Sequence, residues 1–265
     1  MAGVDIQLLK KLRETTFAPL KDCREALVES QGDFDKALQV LKDKGMSKAS
    51  KKADRLTNEG IVKVVKNNGR VYGLKLLCET DFVAKNENFH ELFDSLMEKI
   101  FSVKDDVDNL DALDSDLASE LESMVSEFIG KLGENTKIGE IIVSNKNAYV
   151  YNHPGNKVAS IIYYQGDEDV AKELALQVAA MNPEYVSFES VPSDYREELL
   201  VKFKEEMKDS GKPENIIDQI IDGKLRKHLS DLVLLEQEYI RDNTKKIKEI
   251  LNEGFVVDGF FRIAV

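Results

Sequence analysis

Gly211 and Lys212 are the residue types with which a phosphate loop holds a nucleotide, through backbone N–H groups and a lysine that reaches the terminal phosphates. That loop also needs a glycine five residues before Gly211 and a Ser or Thr after the lysine, and Glu206 and Pro213 stand there instead. His90 and Glu91 open like a zinc-protease helix, but the position of the second metal-binding histidine holds Asp94. The chain has three histidines, and its two cysteines, Cys23 and Cys78, lie far apart with no CxxC. Neither GxSxG nor GxGxxG occurs, and 49 acidic residues supply carboxylate pairs by chance alone. A metal, a cofactor and covalent chemistry of the chain's own are therefore not expected.

The other chemistry available to a side chain is docking, and one stretch has the form for it. Thr80-Asp81-Phe82-Val83-Ala84-Lys85 sets a single large aromatic in a polar tip. The run before it, Val71 to Cys78, reads as a strand, and Phe89, Leu92, Phe93, Leu96, Met97 and Ile100 after it recur at helical spacing. Phe82 is thus expected on the turn between strand and helix. A phenylalanine buries roughly 150–250 Å² when something receives it. The receiver is either this chain's own core or a partner's pocket.

The elements that must position the tip read as an α+β chain. Leucines from Leu8 to Leu12, then Leu20 to Leu27 behind Pro19, then Phe34 to Leu41 before Gly45 mark three short helices, a module of about the size of a ubiquitin-associated domain. From Gly60 the pattern turns to strands: Ile61 to Val65, an Asn67-Asn68-Gly69 hairpin turn, and Val71 to Cys78. Helices follow at about 87–101 and from Leu117 to Ile129, stopped by Gly130 or Gly133. The order then recurs, with strands at Ile141–Val143 and Tyr149–Tyr151, a His153-Pro154-Gly155-Asn156 turn, a strand at Val158–Tyr164 and a helix at Val170–Met181. A shift of 87 residues lays Val71 on Val158, Leu74 on Ile161 and Val83-Ala84-Lys85 on Val170-Ala171-Lys172, so the core is expected to be two related antiparallel sheet-plus-helix halves. In that alignment Phe82 meets Asp169, so the shared architecture does not require the aromatic. The expected organisation is a docking module and basic linker at 1–55, the first half at 56–138, the second at 139–193, an inserted helical hairpin or coiled coil at 194–250, and a returning strand at 251–265.

Composition limits the partners. A net charge of −12 over 265 residues disfavours nucleic acid, whose binding needs clustered Lys and Arg. The basic stretch Lys42, Lys44, Lys48, Lys51, Lys52 and Arg55 is the local exception and reads as a solvated helix or linker. No apolar run is long enough to span a bilayer and the first residues carry no basic leader before an apolar block, so a cytoplasmic protein that avoids membranes is expected. Both thiols are expected to be free and in the core.

At Thr80 to Lys85 the sequence resembles the elongation factor Ts family of guanine-nucleotide exchange factors. Leu12-Arg13-Glu14-Thr15-Thr16, Asp22 to Leu27, Leu132-Gly133-Glu134-Asn135, Ser210-Gly211-Lys212-Pro213 and Gly259-Phe260-Phe261-Arg262 extend the resemblance, in the family's order, over essentially the whole chain. It implies a chain that binds elongation factor Tu carrying GDP, disturbs its magnesium and phosphate site with Asp81 and Phe82, and leaves when GTP binds. It further implies that Thr80, Asp81, Phe82 and Val83 form the wedge, that Arg13, Leu20 and Arg24 dock the helical module, that Leu132, Gly133 and His153 support the wedge, and that Tyr239 and Ile240 touch another domain of the partner. No direct nucleotide binding is implied, and a dimer of Tu–Ts complexes is compatible with it. Phe17, Arg24, Lys75 and Leu77 depart from the residues usual in the family. The alternative is an adaptor that holds partners through the helical module and coiled coil without changing them.

Overall fold

The computed structural model describes residues 5–16, 18–208 and 213–265; Phe17 and the Ser210-Gly211-Lys212 part of one motif lie outside them. The chain forms two compact units, one of residues 1–145 with 154–157 and 263–265, the other of 146–153 with 158–262. Runs of helices and runs of antiparallel strands follow one another along it, the mark of an α+β fold.

In the first unit α1 (Ile6–Thr16), α2 (Leu20–Glu29) and α3 (Phe34–Ser50) close over Leu12, Cys23, Ala26, Leu27 and Ala37. α3 does not stop at Gly45, as the glycine suggested, but runs on to Ser50. The reason is a helix crossing. Gly45 lies against Gly130 of α6 (Ser115–Leu132), so closely that a Cβ on Gly130 would sit 2.8 Å from the Gly45 Cα. The glycine serves an approach between helices, and not a helix end.

The β1 (Glu59–Asn67) and β2 (Arg70–Cys78) hairpin turns on Asn68 and Gly69, both at positive φ (49° and 79°), the conformation for which Asn-Gly is suited. β3 (Thr136–Ser144) pairs with the other edge of β2, giving the order β1-β2-β3. Ile141–Val143, expected to open the second half, therefore completes the first sheet; all three side chains are buried there, so the continuous apolar run marks a strand covered on both faces. α5 (Glu87–Ile100) and α6 bury Phe89, Phe93, Leu96, Ile100, Leu121 and Phe128 with Leu74, Leu76 and Ile141 of the sheet.

The second unit holds β4 (Ala148–Asn152), β5 (Val158–Gln165) and β8 (Val256–Ala264) in the order β4-β5-β8, with α7 (Glu168–Met181) burying Ala171, Leu174, Ala175 and Val178. α8 (Ser193–Met207) and α9 (Glu214–Ser230) share a core of Leu199, Phe203, Met207, Ile221 and Leu229. The helical insertion ends at Ser230, short of the expected 250. Beyond it, neighbouring Val233 and Leu234 are both fully buried, which a surface helix with one apolar stripe does not do, and the chain enters a small ribbon of β6 (Glu238–Tyr239) and β7 (Asp242–Lys246).

Replacing a helical glycine by alanine ordinarily stabilises by up to about 1 kcal/mol. For Gly130→Ala the opposite sign is expected, a loss of about 1–3 kcal/mol, because the new Cβ meets backbone that cannot rotate away. Urea unfolding checks this; a stabilised variant would show that the helices separate freely.

Candidate functional site

Thr80 ends the extended segment after β2 and caps α4 (Asp81–Ala84), its Oγ1 accepting from the Val83 N–H at 3.3 Å. The same hydroxyl donates to the Glu134 carboxylate at 3.0 Å, and the Thr80 N–H donates to Glu134 Oε2 at 3.2 Å. The Thr80 N–H and hydroxyl at the root of the tip are thus both used. α4 lasts one turn, because Asn86 starts α5 by accepting from the Asn88 N–H at 2.9 Å. Two caps within seven residues make a corner. Val83 and Ala84 point into the core at this corner, while Phe82 points out and is 82% exposed.

The neighbouring Asp81 accepts from Lys85 Nζ at 2.7 Å, one turn away. That hydrogen bond holds the Asp81 carboxyl below the usual carboxylate range, so the tip presents a carboxylate beside the ring at neutral pH. Beneath the tip, the Cys78 thiol donates to the Thr80 carbonyl at 3.3 Å. Burial first, and the nearby Glu134 charge second, push the Cys78 pKa up to about 12, which makes it an inert core thiol. Cys23 is likewise buried, with its thiol pushed up by burial.

The loop that supplies Glu134 begins at Gly133, the α6 C-cap at φ +83°. Lys52 donates to the Gly133 carbonyl. Asn135, 1% exposed, donates its N–H to Glu79 Oε1 at 2.6 Å and its side-chain amide to the Arg55 carbonyl at 2.9 Å. Glu79 also pairs with Arg55 at 3.3 Å. Two carboxylates are therefore exchanged: Glu79, before the tip, binds the loop, and Glu134, in the loop, binds the tip.

Of the residues singled out by sequence, the structure joins Gly133 to Thr80 through Glu134, while half-exposed Leu132 closes α6 just before it. Arg13, Leu20 and Arg24 stand exposed on α1 and α2, elements distinct from the tip. His153 belongs to the second unit, where it closes the β4–β5 hairpin by donating its N–H to the Val158 carbonyl at 2.9 Å and meets the Tyr151 hydroxyl through Nδ1 at 2.9 Å. Tyr239 donates to Glu173 at 2.7 Å, and exposed Ile240 tips the β6–β7 ribbon, its N–H bound to Gln177 Oε1 at 3.0 Å. Arg241 also pairs with Glu173. Glu134, Glu79, Asn135 and Arg55 were not selected as site residues from sequence. A glutamate among 49 acidic residues carries no signal, although Glu134 and Asn135 sit inside the quoted Leu132 to Asn135 motif.

Among the described residues no cluster of three or more His, Cys, Asp or Glu side chains could hold a metal ion, and no helix is long and apolar enough to cross a membrane. An exposed aromatic and a carboxylate on a corner capped by Thr80 have the form through which proteins act on other proteins. A family model described as Elongation factor TS matches residues 79–265. Elongation factor Ts of Hydrogenobaculum sp. (strain Y04AAS1) is 37% identical over 270 residues, covering 99% of each chain, and elongation factor Ts of Aquifex aeolicus (strain VF5) is 35% identical over 271 residues, covering 95% of this chain and 93% of that one. The chain belongs to the elongation factor Ts family.

Glu134→Ala leaves the Thr80 N–H without its acceptor and is expected to cost about 1–3 kcal/mol in urea unfolding. A change below about 0.5 kcal/mol would mean that water replaces the carboxylate at no cost.

Proposed function

We propose that this chain is the guanine-nucleotide exchange factor for elongation factor Tu, acting in the cytoplasm and by binding alone. Family membership supports the partner, and the observation that carries the mechanism is the solvent-facing Phe82 on a corner held by the Thr80 cap and the Thr80–Glu134 bonds. Thr80, Asp81, Phe82 and Val83 form the wedge: Val83 anchors it, Thr80 caps it, and Phe82 enters between helices of the partner's nucleotide domain. Wedged beside the magnesium and phosphate site, Asp81 and Phe82 disturb magnesium coordination and rearrange the phosphate loop, which weakens GDP binding. Each ~1.4 kcal/mol taken from the barrier to GDP release is about tenfold in rate.

Linkage makes the effect reciprocal. Whatever affinity the factor removes from GDP, bound nucleotide removes from the factor, so incoming GTP expels it. Arg13, Leu20 and Arg24 dock the helical module on the partner's nucleotide domain, Leu132, Gly133 and His153 back the wedge, and Tyr239 and Ile240 reach another domain. In this reading α1 to α3 form the docking module, α8 and α9 the hairpin insertion, and β8 the returning strand. The exposed positions of Leu20 and Ile240 suit contact roles, since an apolar side chain there has surface left to bury.

Phe82→Ala is expected to retain the parental unfolding midpoint, because the ring touches little of its own chain, and to lose ~2 kcal/mol or more, about thirtyfold, in the efficiency of GDP release from Tu. A folded Phe82→Ala protein that exchanges at the parental rate would remove the wedge role.

A further inference from the structure

The segment between α3 and β1 joins the three-helix module to the sheet that carries the tip, and it belongs to the basic stretch that reads from sequence as a solvated helix or linker. It is pinned at three places. Lys52 donates to the Gly133 carbonyl, the Asn135 amide donates to the Arg55 carbonyl at 2.9 Å and the Ala53 carbonyl at 3.4 Å, and the Arg55 side chain pairs with Glu79. Asn135 and Glu134 are neighbours in one loop, so the loop that grips this segment also grips Thr80 at the root of the tip. Upstream, the Gly45–Gly130 crossing fixes α3 against α6, the helix that leads into the same loop.

We propose that Asn135 is a positioning residue, which with Lys52, Arg55, Glu79 and Glu134 binds the helical module and the Phe82 tip into one presented surface. The inference rests on the exchange reading for its consequence, but not for its geometry. Two contacts on one ordered body bind as a bivalent ligand whose second contact forms at high effective concentration. The ordering entropy is lost at folding instead of at docking. A flexible joint would leave the module free to bind while the tip seldom met its target.

The test uses the full chain with spin labels at Lys21→Cys on α2 and Asp94→Cys on α5, both exposed; Cys23 and Cys78 are buried thiols that the label does not reach. The parental protein is expected to give one narrow distance distribution. Asn135→Ala is expected to broaden it about twofold or more, toward flexible-linker behaviour, while one cooperative unfolding transition is kept. The Lys52→Met/Arg55→Ala pair cuts two pins from the surface without removing a buried side chain, and is expected to do the same if Asn135→Ala does not fold. Distributions as narrow as the parental one in the folded variants would overturn the proposal. Without labels, the same variants are expected to lose about tenfold in GDP-release efficiency on Tu at low factor concentration. Broadening with unchanged release would reduce the network to a fold staple and overturn the positioning role. A parental chain that leaves GDP release unaltered would refute the exchange reading, while the spin-label arm would still decide the coupling.

Discussion

The bond that the tip depends on is made by the Glu134 carboxylate, which accepts from the Thr80 N–H at 3.2 Å and from its hydroxyl at 3.0 Å. With its proton given to Glu134, the Thr80 oxygen is left to accept from the Val83 N–H, and that capping bond starts the single turn of α4. Thr80 and Val83 hold the backbone from below and leave Phe82 little of its own chain to cover it. An exposed phenylalanine costs solvation that a folding chain would otherwise recover. Here the corner is over-determined by polar bonds, so the ring stays in water.

Under the proposed 87-residue repeat the tip has a counterpart for comparison. Thr80 and Asp167 are equivalent under the 87-residue shift, and both are N-caps. After Asp167 the helix runs unbroken as α7, with Ala171 buried beneath it. After Thr80 the helix breaks at Lys85 and restarts at the Asn86 cap. The break turns the chain and lifts position 82 out of the core, whereas Asp169 at the matching place is an acidic first-turn residue on a continuous helix.

Much of this was legible in sequence wherever local chemistry decides structure. Asn68-Gly69 marks its own hairpin, the spacing from Phe89 to Ile100 its buried face, and of the two glycines that could end α6 the structure uses Gly133. The Thr80 to Lys85 stretch could be picked out because an aromatic without a periodic partner is unusual beside so regular a helix. What escaped depends on contacts between segments remote in the chain. Gly45 looked like a terminator because its partner, Gly130, lies in another helix. Ile141–Val143 stand in sequence beside the strands that follow them although β2 receives them, and a helical reading of residues 231–250 fails because sequence does not show that Val233 and Leu234 are buried side by side. Glu134 was hidden by abundance: its value lies in two hydrogen bonds to Thr80, 54 residues away.

The central claim is that docking of this chain changes the nucleotide affinity of its partner. Release of a fluorescent GDP from elongation factor Tu, followed by stopped flow as this protein is added against excess unlabelled GDP, measures that directly. The account predicts a release rate that climbs with factor concentration and saturates well above the spontaneous rate. A complex that forms while GDP leaves at its spontaneous rate would contradict it and leave an adaptor.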